Sequence, residues 1–307
     1  MHYTLHQLQV FLKVTEFKSI TKAAEELHLT QPAVSIQIKN FQNQFPIPLT
    51  EVVGRQLFVT DFGEEIAAAA RKIIAEVDAI NYKTMAYQGQ LSGKLKISIV
   101  STGKYLMPYY ITDFMNMHPG VDLEMDVTNK TRVVRHLEKN ETDFALVSVV
   151  PDHIAIDKVR LIPNKLFLVG GRQHTYSGKT ISKKDFDKLP VVYREKGSAT
   201  RAAMENYIAD RQLPTRKKIE LTSNEAVKQA VISGIGISIL PLVGLKNALT
   251  SGDAQIIPSK GLPITTHWNL IWQKSKQLSP TAQAFVSYLE EHKTALNEKH
   301  FGWLDTY

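Results

Sequence analysis

Hydrophobic positions along the first sixty residues repeat at helical spacing. Leu5, Leu8, Phe11 and Leu12 form one such set, and the Thr4/Gln7 pair has capping-box spacing just before it. Ser19 is placed to cap a second helix, on which Ala23, Ala24 and Leu27 share a face. Thr30 is placed to cap a third, with Pro32 in its first turn, where a missing N–H costs nothing. Val34, Ile38, Phe41 and Phe45 of that helix should face a core. The bend at His28 and Leu29 is short, and two helices joined by a tight turn make a helix-turn-helix.

The segment VGRQLFVT, from Val53 to Thr60, has the pattern of a small β-wing. A helix expected from near Gly63 carries Ile66, Ile73, Ile80 and Tyr87 every seventh residue, with Ala70, Val77 and Thr84 between them. That is an a/d seam of about three heptads. It is read as a dimerising helix, the plainer alternative being a helix packed on its own domain. Gln88 to Gly93 (QGQLSG) is expected to be a hinge.

Beyond it the period changes from 3.6 to 2. Leu95, Ile97 and Ile99 alternate, a helix runs to Met117, and Val121, Leu123, Met125 and Val127 alternate again. A helix with Val133, Val134 and Leu137 precedes a strand at 143–149. The βαβαβ order predicts a mostly parallel sheet flanked by helices. A second unit is expected from Asn164, with strands near 166–169, 189–193, 219–222 and 236–240 and helices near 199–211 and 225–232. A strand at 268–273 and a last helix, from Ser279-Pro280 to about Ala295, complete the chain. The expected division is 1–63, 64–87 (linker helix), 88–93 (hinge), 94–163 with 267–300, and 164–266.

Composition narrows the functional classes. The 307 residues are 43% hydrophobic and 22% charged, a soluble profile long enough for several domains. The net charge of +7 leans towards anionic partners. It does not come from the first domain: before Glu64, Lys13, Lys18, Lys22, Lys39 and Arg55 are matched by Glu16, Glu25, Glu26, Glu51 and Asp61. There is no cysteine, which excludes disulfides, thiolate metal sites and a cysteine nucleophile. With no signal-peptide pattern and no long apolar run, a cytoplasmic protein is expected. No metal spacing and no G-x-S-x-G elbow is present, so no catalytic residue, metal or cofactor is assigned.

A helix entering the major groove needs short donors and acceptors at its start. Thr30, Gln31, Ser35 and Gln37 have that chemistry, and Lys39 is placed for phosphate. The competing reading is a plain helical hairpin with a solvated face. The stretch SITKAAEELHLTQPAVSIQIK (Ser19 to Lys39) resembles the winged helix-turn-helix of LysR-type transcriptional regulators, and the resemblance extends over the whole chain. It implies an all-α winged helix-turn-helix domain, a dimerising linker helix, and an α/β effector domain of two subdomains like a type 2 periplasmic binding protein. It also implies DNA contacts from Ser19, Thr21, Pro32 and Ala33 besides those above, with Arg55 in the wing. The partners implied are a dyad-symmetric double-stranded DNA site and a second copy of the chain, with a tetramer suggested. The chain departs from the family where Phe41-Gln42 stands for Leu-Glu, Pro46 for Gly, Leu49-Thr50-Glu51-Val52 for Leu-Phe-x-Arg, and Ile36 for a frequent Arg.

In the second half, polar residues collect at strand ends, where open α/β sheets bind ligands. They are Ser101 and Thr102, Asn129 and Lys130, Ser148, Arg194, then Ser198, Thr200 and Arg201, and Asn224. Their hydroxyls, amides and cations suit a carboxylate or phosphate, although each could equally cap a helix. Ser101-Thr102-Gly103-Lys104 lacks the other glycine and the hydroxyl of a P-loop. VSTGKYLMP, VTNKTRVVRHL, REKGSATRAAME and LTSNEAVKQAVISGIGISILP resemble the branch that includes regulators of CO2-fixation (RuBisCO) operons, which implies a small anionic metabolite as effector. The rival reading is a cytoplasmic small-molecule binding protein without sequence-specific DNA binding.

Overall fold

The computed structural model describes all residues except Met1, His2, Arg55, 87–90, 174–179 and Arg216, and leaves out the side chains of Asp78, Ala79 and 81–86. The chain forms two compact units, Met1–Gln90 and Leu91–Tyr307.

The first unit opens with α1 (Leu5–Phe17), α2 (Ile20–Glu26) and α3 (Gln31–Gln42). Each begins where a short polar side chain replaces a lost backbone partner. Thr4 and Gln7 complete a reciprocal capping box, Ser19 accepts from the Lys22 amide, and Thr30 accepts from the Ala33 amide. Lys18 and His28, at φ 48° and 54°, turn the chain after α1 and α2. Phe11, Val14, Ala23, Ala24, Val34 and Phe41 are buried together, and Tyr3 and Phe45 pack on Phe41.

The wing is a hairpin of β1 (Thr50–Val53) and β2 (Gln56–Val59), starting three residues before the expected Val53. The Gln42 carboxamide anchors it by accepting from the Thr50 amide and hydroxyl. Helix α4 (Asp61–Ala86) begins at Asp61 rather than Gly63, because the Thr60 hydroxyl caps it through the Gly63 amide. Its seam divides. Ala67 and Ala70 are buried and Ile66 and Ile74 half-buried against the domain core, whereas Ile73 and Ile80 are 40% and 62% exposed. Thr84 and Tyr87 of the expected seam, and the hinge residues Gln88, Gly89 and Gln90, lie outside what is described.

The second unit starts on β3 (Ser92–Val100), so Ser92 and Gly93, expected in the hinge, are instead paired with Gly120 and Val121. It continues through α5 (Met107–Met117), β4 (Gly120–Thr128), α6 (Lys130–Glu138), β5 (Phe144–Val147) and β6 (Ile156–Gly171). Then come α7 (Lys183–Asp187), β7 (Val191–Arg194), α8 (Ala199–Asp210), β8 (Lys218–Leu221), α9 (Asn224–Ile232) and β9 (Ser238–Pro241). The chain ends through α10 (Lys246–Thr250), β10 (Ala254–Ile256), β11 (Ile264–Gln273) and α11 (Pro280–Phe301).

The main sheet is mixed, in the order β10-β6-β11-β5-β3-β4 with β9 also on β6, and is not the mostly parallel sheet that the βαβαβ pattern suggests. β3 runs parallel to β4 and β5, and β7 to β8, but β6 and β11 are long and antiparallel. They cross between two lobes. The second half of β11 lies beside β5, and the second half of β6 beside β9 and β10. The lobe borders expected at 163/164 and 266/267 therefore fall inside continuous strands. Pro163-Asn164 reads as a break, yet the strand continues because Pro163 faces His267, where the ladder is irregular and a missing donor is tolerated. Helix α11 extends past Ala295 because Leu296 and Phe301 are buried and the Tyr110 hydroxyl donates to Asn297.

Gly63 tests the joint between wing and α4. A methyl group there would lie 2.0 Å from the Leu49 carbonyl oxygen and 2.9 Å from Val59. Gly63→Ala is expected to destabilise the first unit by about 1–3 kcal/mol, measured as a drop in the melting of its helical signal with the melting of the second unit unmoved.

Candidate functional site

On α3 the buried Val34, Ile38 and Phe41 define the inner face. Gln31, Ser35 and Lys39 follow one another a turn apart on the outer face, Gln31 and Lys39 exposed and Ser35 partly so. Pro32 and Thr21 are also exposed; Ala33 and Gln37 are half-buried and lie off this face. Ser19 and Thr30 use their hydroxyls as helix caps. Ile36 is 57% exposed in the same outer stripe, and the wing shows Val52 and Val53 at 68% and 63%. This surface is therefore short, polar and apolar, with Lys39 as its cation on α3. Arg55 lies outside the described residues.

The two lobes of the second unit enclose a cavity of about 1400 Å³ between α6 and the start of α8. Of the residues chosen from the sequence, Lys130, Ser198 and Arg201 line it. So do Thr131, Arg135, Lys196 and Arg211, which the sequence reading passed over. The lobes nearly touch at Gly197, φ +87°, where a methyl group would lie 2.7 Å from the Thr131 hydroxyl. Opposite charges divide unevenly around the wall. Glu205 is held by Arg201, and Glu138 and Asp152 by His153, whose imidazole is raised by its hydrogen bonds to Glu138 and then Asp152. Lys130, Arg135, Lys196 and Arg211 make no ion pair within 4 Å among the described residues. Arg211 also lies over the Tyr207 ring and Asp210 adds a carboxylate to the wall, so an anion entering this space meets Lys130, Arg135 and Lys196 as cations without ion pairs among the described residues.

Arg201 is not one of them. Its guanidinium donates to Glu220, to Glu205 and to the Arg194 carbonyl oxygen, and the bonds to Glu220 and then Glu205 raise its pKa. Arg194 is buried and doubly bonded to Glu195, with Nη1 3.5 Å from Asn224 Oδ1. Asn129 and Ser198 cap α6 and α8. Thr102 is buried and makes no capping bond, because Gly103–Tyr105 is a 3-10 turn and α5 begins only at Met107. Ser101, Ser148 and Thr200 are half-buried and are not part of the cavity wall.

The 3-10 turn carries a residue that the sequence did not single out. Tyr105 donates to Glu225 Oε2 at 2.7 Å, next to Asn224 at the start of α9. Burial pushes the Glu225 carboxyl up, but hydrogen bonds from Tyr105, Gln229 and Lys228 outweigh it and hold the group at about 2. Burial, with the Glu225 bond and charge, pushes the Tyr105 hydroxyl far above its ordinary value.

Residues 5–64 match the family model for the bacterial regulatory helix-turn-helix protein, lysR family, and residues 88–294 match that for the LysR substrate binding domain. The chain belongs to the LysR family. It is a transcriptional regulator with a winged helix-turn-helix and an effector-binding domain. LysR relatives resemble it along almost its whole length. The HTH-type transcriptional activator CmpR of Synechocystis is 36% identical over 295 residues, 96% of this chain and 97% of the relative. The RuBisCO operon transcriptional regulator of Allochromatium vinosum is 34% identical over 290 residues, 94% and 96% of the two chains. Among solved LysR structures, the Synechocystis PCC6803 CcmR regulatory domain in complex with 2-PG superposes with a TM-score of 0.62 at 31% identity, over 66% of this chain and 98% of that one.

The depressed Glu225 carboxyl has a pH consequence. Its folded pKa, about 2, lies below the unfolded value near 4.5, so its stabilisation is full above pH 4.5 and is lost as pH falls towards 2. The stability difference between the natural chain and Glu225→Gln is expected to shrink across that window. Denaturant titrations at stepped pH measure it.

Proposed function

We propose that this LysR regulator acts in the cytoplasm, reads a dyad-symmetric promoter site through α3 and the wing, and responds to a small anionic metabolite in the cavity between its two lobes. The observation that carries the reading is that cavity: it joins α6 of one lobe to the start of α8 of the other and presents Lys130, Arg135, Lys196 and Arg211 without ion pairs among the described residues. A ligand bearing phosphate or carboxylate groups supplies the missing charges and touches both lobes at once. The 2-PG held by the related CcmR regulatory domain makes 2-PG the first probe to try. The effector set read from the sequence is Ser101, Thr102, Asn129, Lys130, Ser148, Arg194, Ser198, Thr200, Arg201 and Asn224; of these Lys130, Ser198 and Arg201 line the cavity, Thr131, Arg135, Lys196 and Arg211 are added from the geometry, and the others stand outside its wall.

For DNA, Gln31 and Ser35 read base edges and Lys39 meets phosphate; Thr21, Pro32, Ala33 and Gln37 lie at the edges of that contact. The first domain is nearly neutral, so a single copy binds phosphate weakly. Pairing of two chains through the outward Ile73 and Ile80 of α4 supplies the missing affinity as effective concentration. A tetramer then arises as a pair of such dimers. The functional divisions of this reading are those expected from the sequence, with the linker helix taken from Asp61, the hinge ending before Ser92, and the two lobes meeting within β6 and β11.

Gln31→Ala or Ser35→Ala is expected to weaken binding to the protein's own upstream DNA by roughly tenfold while leaving the ligand-induced thermal shift intact. Fluorescence anisotropy on a labelled fragment measures the first and a thermal melt the second; unchanged DNA affinity would contradict the groove assignment. A purified protein that shows no salt-sensitive, sequence-specific binding points instead to a small-molecule binding protein. The pair Thr102→Val with Arg201→Ala is expected to remove the thermal shift given by 2-PG. Full retention of that shift places the ligand elsewhere.

A further inference from the structure

We infer that Tyr105 is a positioning residue for the ligand cavity, a knob from one lobe locked into a socket of the other, and that its bond to Glu225 sets how much of the free protein is closed. The inference rests on the effector reading above only for its effect on ligand affinity.

The knob belongs to the first lobe. Tyr105 sits in the 3-10 turn that leaves β3, three residues after Thr102. The socket is built from residues of the second lobe. Glu225 and Lys228 of α9 supply the carboxylate, 2.7 Å from the phenol oxygen, and an ammonium 5.7 Å from the ring centre. Gly244, in the turn after β9, supplies the floor. A methyl group there would lie 2.7 Å from the tyrosine ring, so the ring needs a glycine beneath it. Lys104 covers the ring at 5.1 Å. Lys228 also pairs with Glu225, which accepts from Gln229 as well. The acceptor is thus held in place before the phenol arrives.

Neither Tyr105 nor Glu225 lines the cavity. Their influence runs through their neighbours in the chain. Thr102 and Asn224, both buried, are each within three residues of one end of the bond. Both belong to the proposed effector set although neither is part of the cavity wall; a ligand that reaches them and the Tyr105–Glu225 bond draw the same two segments together. Two interactions that favour one arrangement reinforce each other: when the bond is removed, the closed population falls, and the apparent affinity falls by the same factor. The long strands β6 and β11 already tie the lobes by backbone, so loss of the bond changes their spacing without unfolding them.

The test uses the full chain without ligand. Hydrogen–deuterium exchange is compared for the natural protein, Tyr105→Phe, Glu225→Ala and the double variant. A hydrogen bond to a charged acceptor is worth enough to speed local opening by about tenfold. Tyr105→Phe, which keeps the ring, is expected to raise exchange in both 102–106 and 223–229 by that factor, and the double variant by no more than Glu225→Ala alone. Faster exchange confined to one of the two segments, or effects of the two single changes that simply add, would overturn the inference. In the second arm 2-PG is titrated, and Tyr105→Phe is expected to bind more weakly, by the factor by which the closed fraction falls. Equal affinity of the two proteins overturns the positioning role. Absence of 2-PG binding by the natural protein defeats the choice of effector instead, and the exchange arm then decides the inference alone.

Discussion

Two strands carry the polypeptide between the lobes, and the rest of the second unit depends on that constraint. β6 and β11 are hydrogen-bonded to each other over most of their length and irregular only between His267 and Asn269. A backbone ladder of this kind resists shear and stretching but tolerates bending where the register slips. Trp268, fully buried, sits at that slip. The lobes are consequently joined by backbone along one edge, while α6 and the start of α8 face each other across the cavity without a shared ladder. A cavity lined by both lobes is then a place where a ligand can do mechanical work on the chain, because its two halves are joined by something that bends.

Short-range physics explains what was legible in the sequence. Capping residues, turn glycines and the change of period from 3.6 to 2 are local, and Ser19, Thr30, Asn129, Ser198 and Ser223 each cap the helix that begins beside them. The order of the sheet was less legible. Pro163 inside β6 reads as a break, so the long antiparallel pairing of β6 with β11, which meets the parallel strands at β5, left little trace. For the candidate site the limit was distance along the chain. Arg201 has the chemistry of an anion ligand, but its partner Glu220 is nineteen residues away and invisible to a local pattern. Tyr105 and Glu225 are 120 residues apart. Lys196 and Thr131 stood beside residues already chosen, and it is the fold that brings them onto the cavity wall.

The first unit shows a different economy. Its outer surface combines a few short polar groups with exposed aliphatic ones, Ile36 on α3 and Val52 and Val53 on the wing. Such a surface discriminates by fit and not by long-range attraction, since non-specific affinity for DNA follows the number of phosphates neutralised. A domain with little net charge spends less time on unrelated DNA, and its occupancy of a true site leans on how many copies arrive together and how they are spaced.

Gly197 stands between the two lobes of the second unit. Its backbone conformation is one that side chains rarely adopt, and its α-carbon faces the Thr131 hydroxyl across the mouth of the cavity with no room for a methyl group. This close approach of the two lobes depends on the absence of a β-carbon. A side chain at this position has to displace Thr131 or widen the gap between the two lobes before the cavity can take this shape.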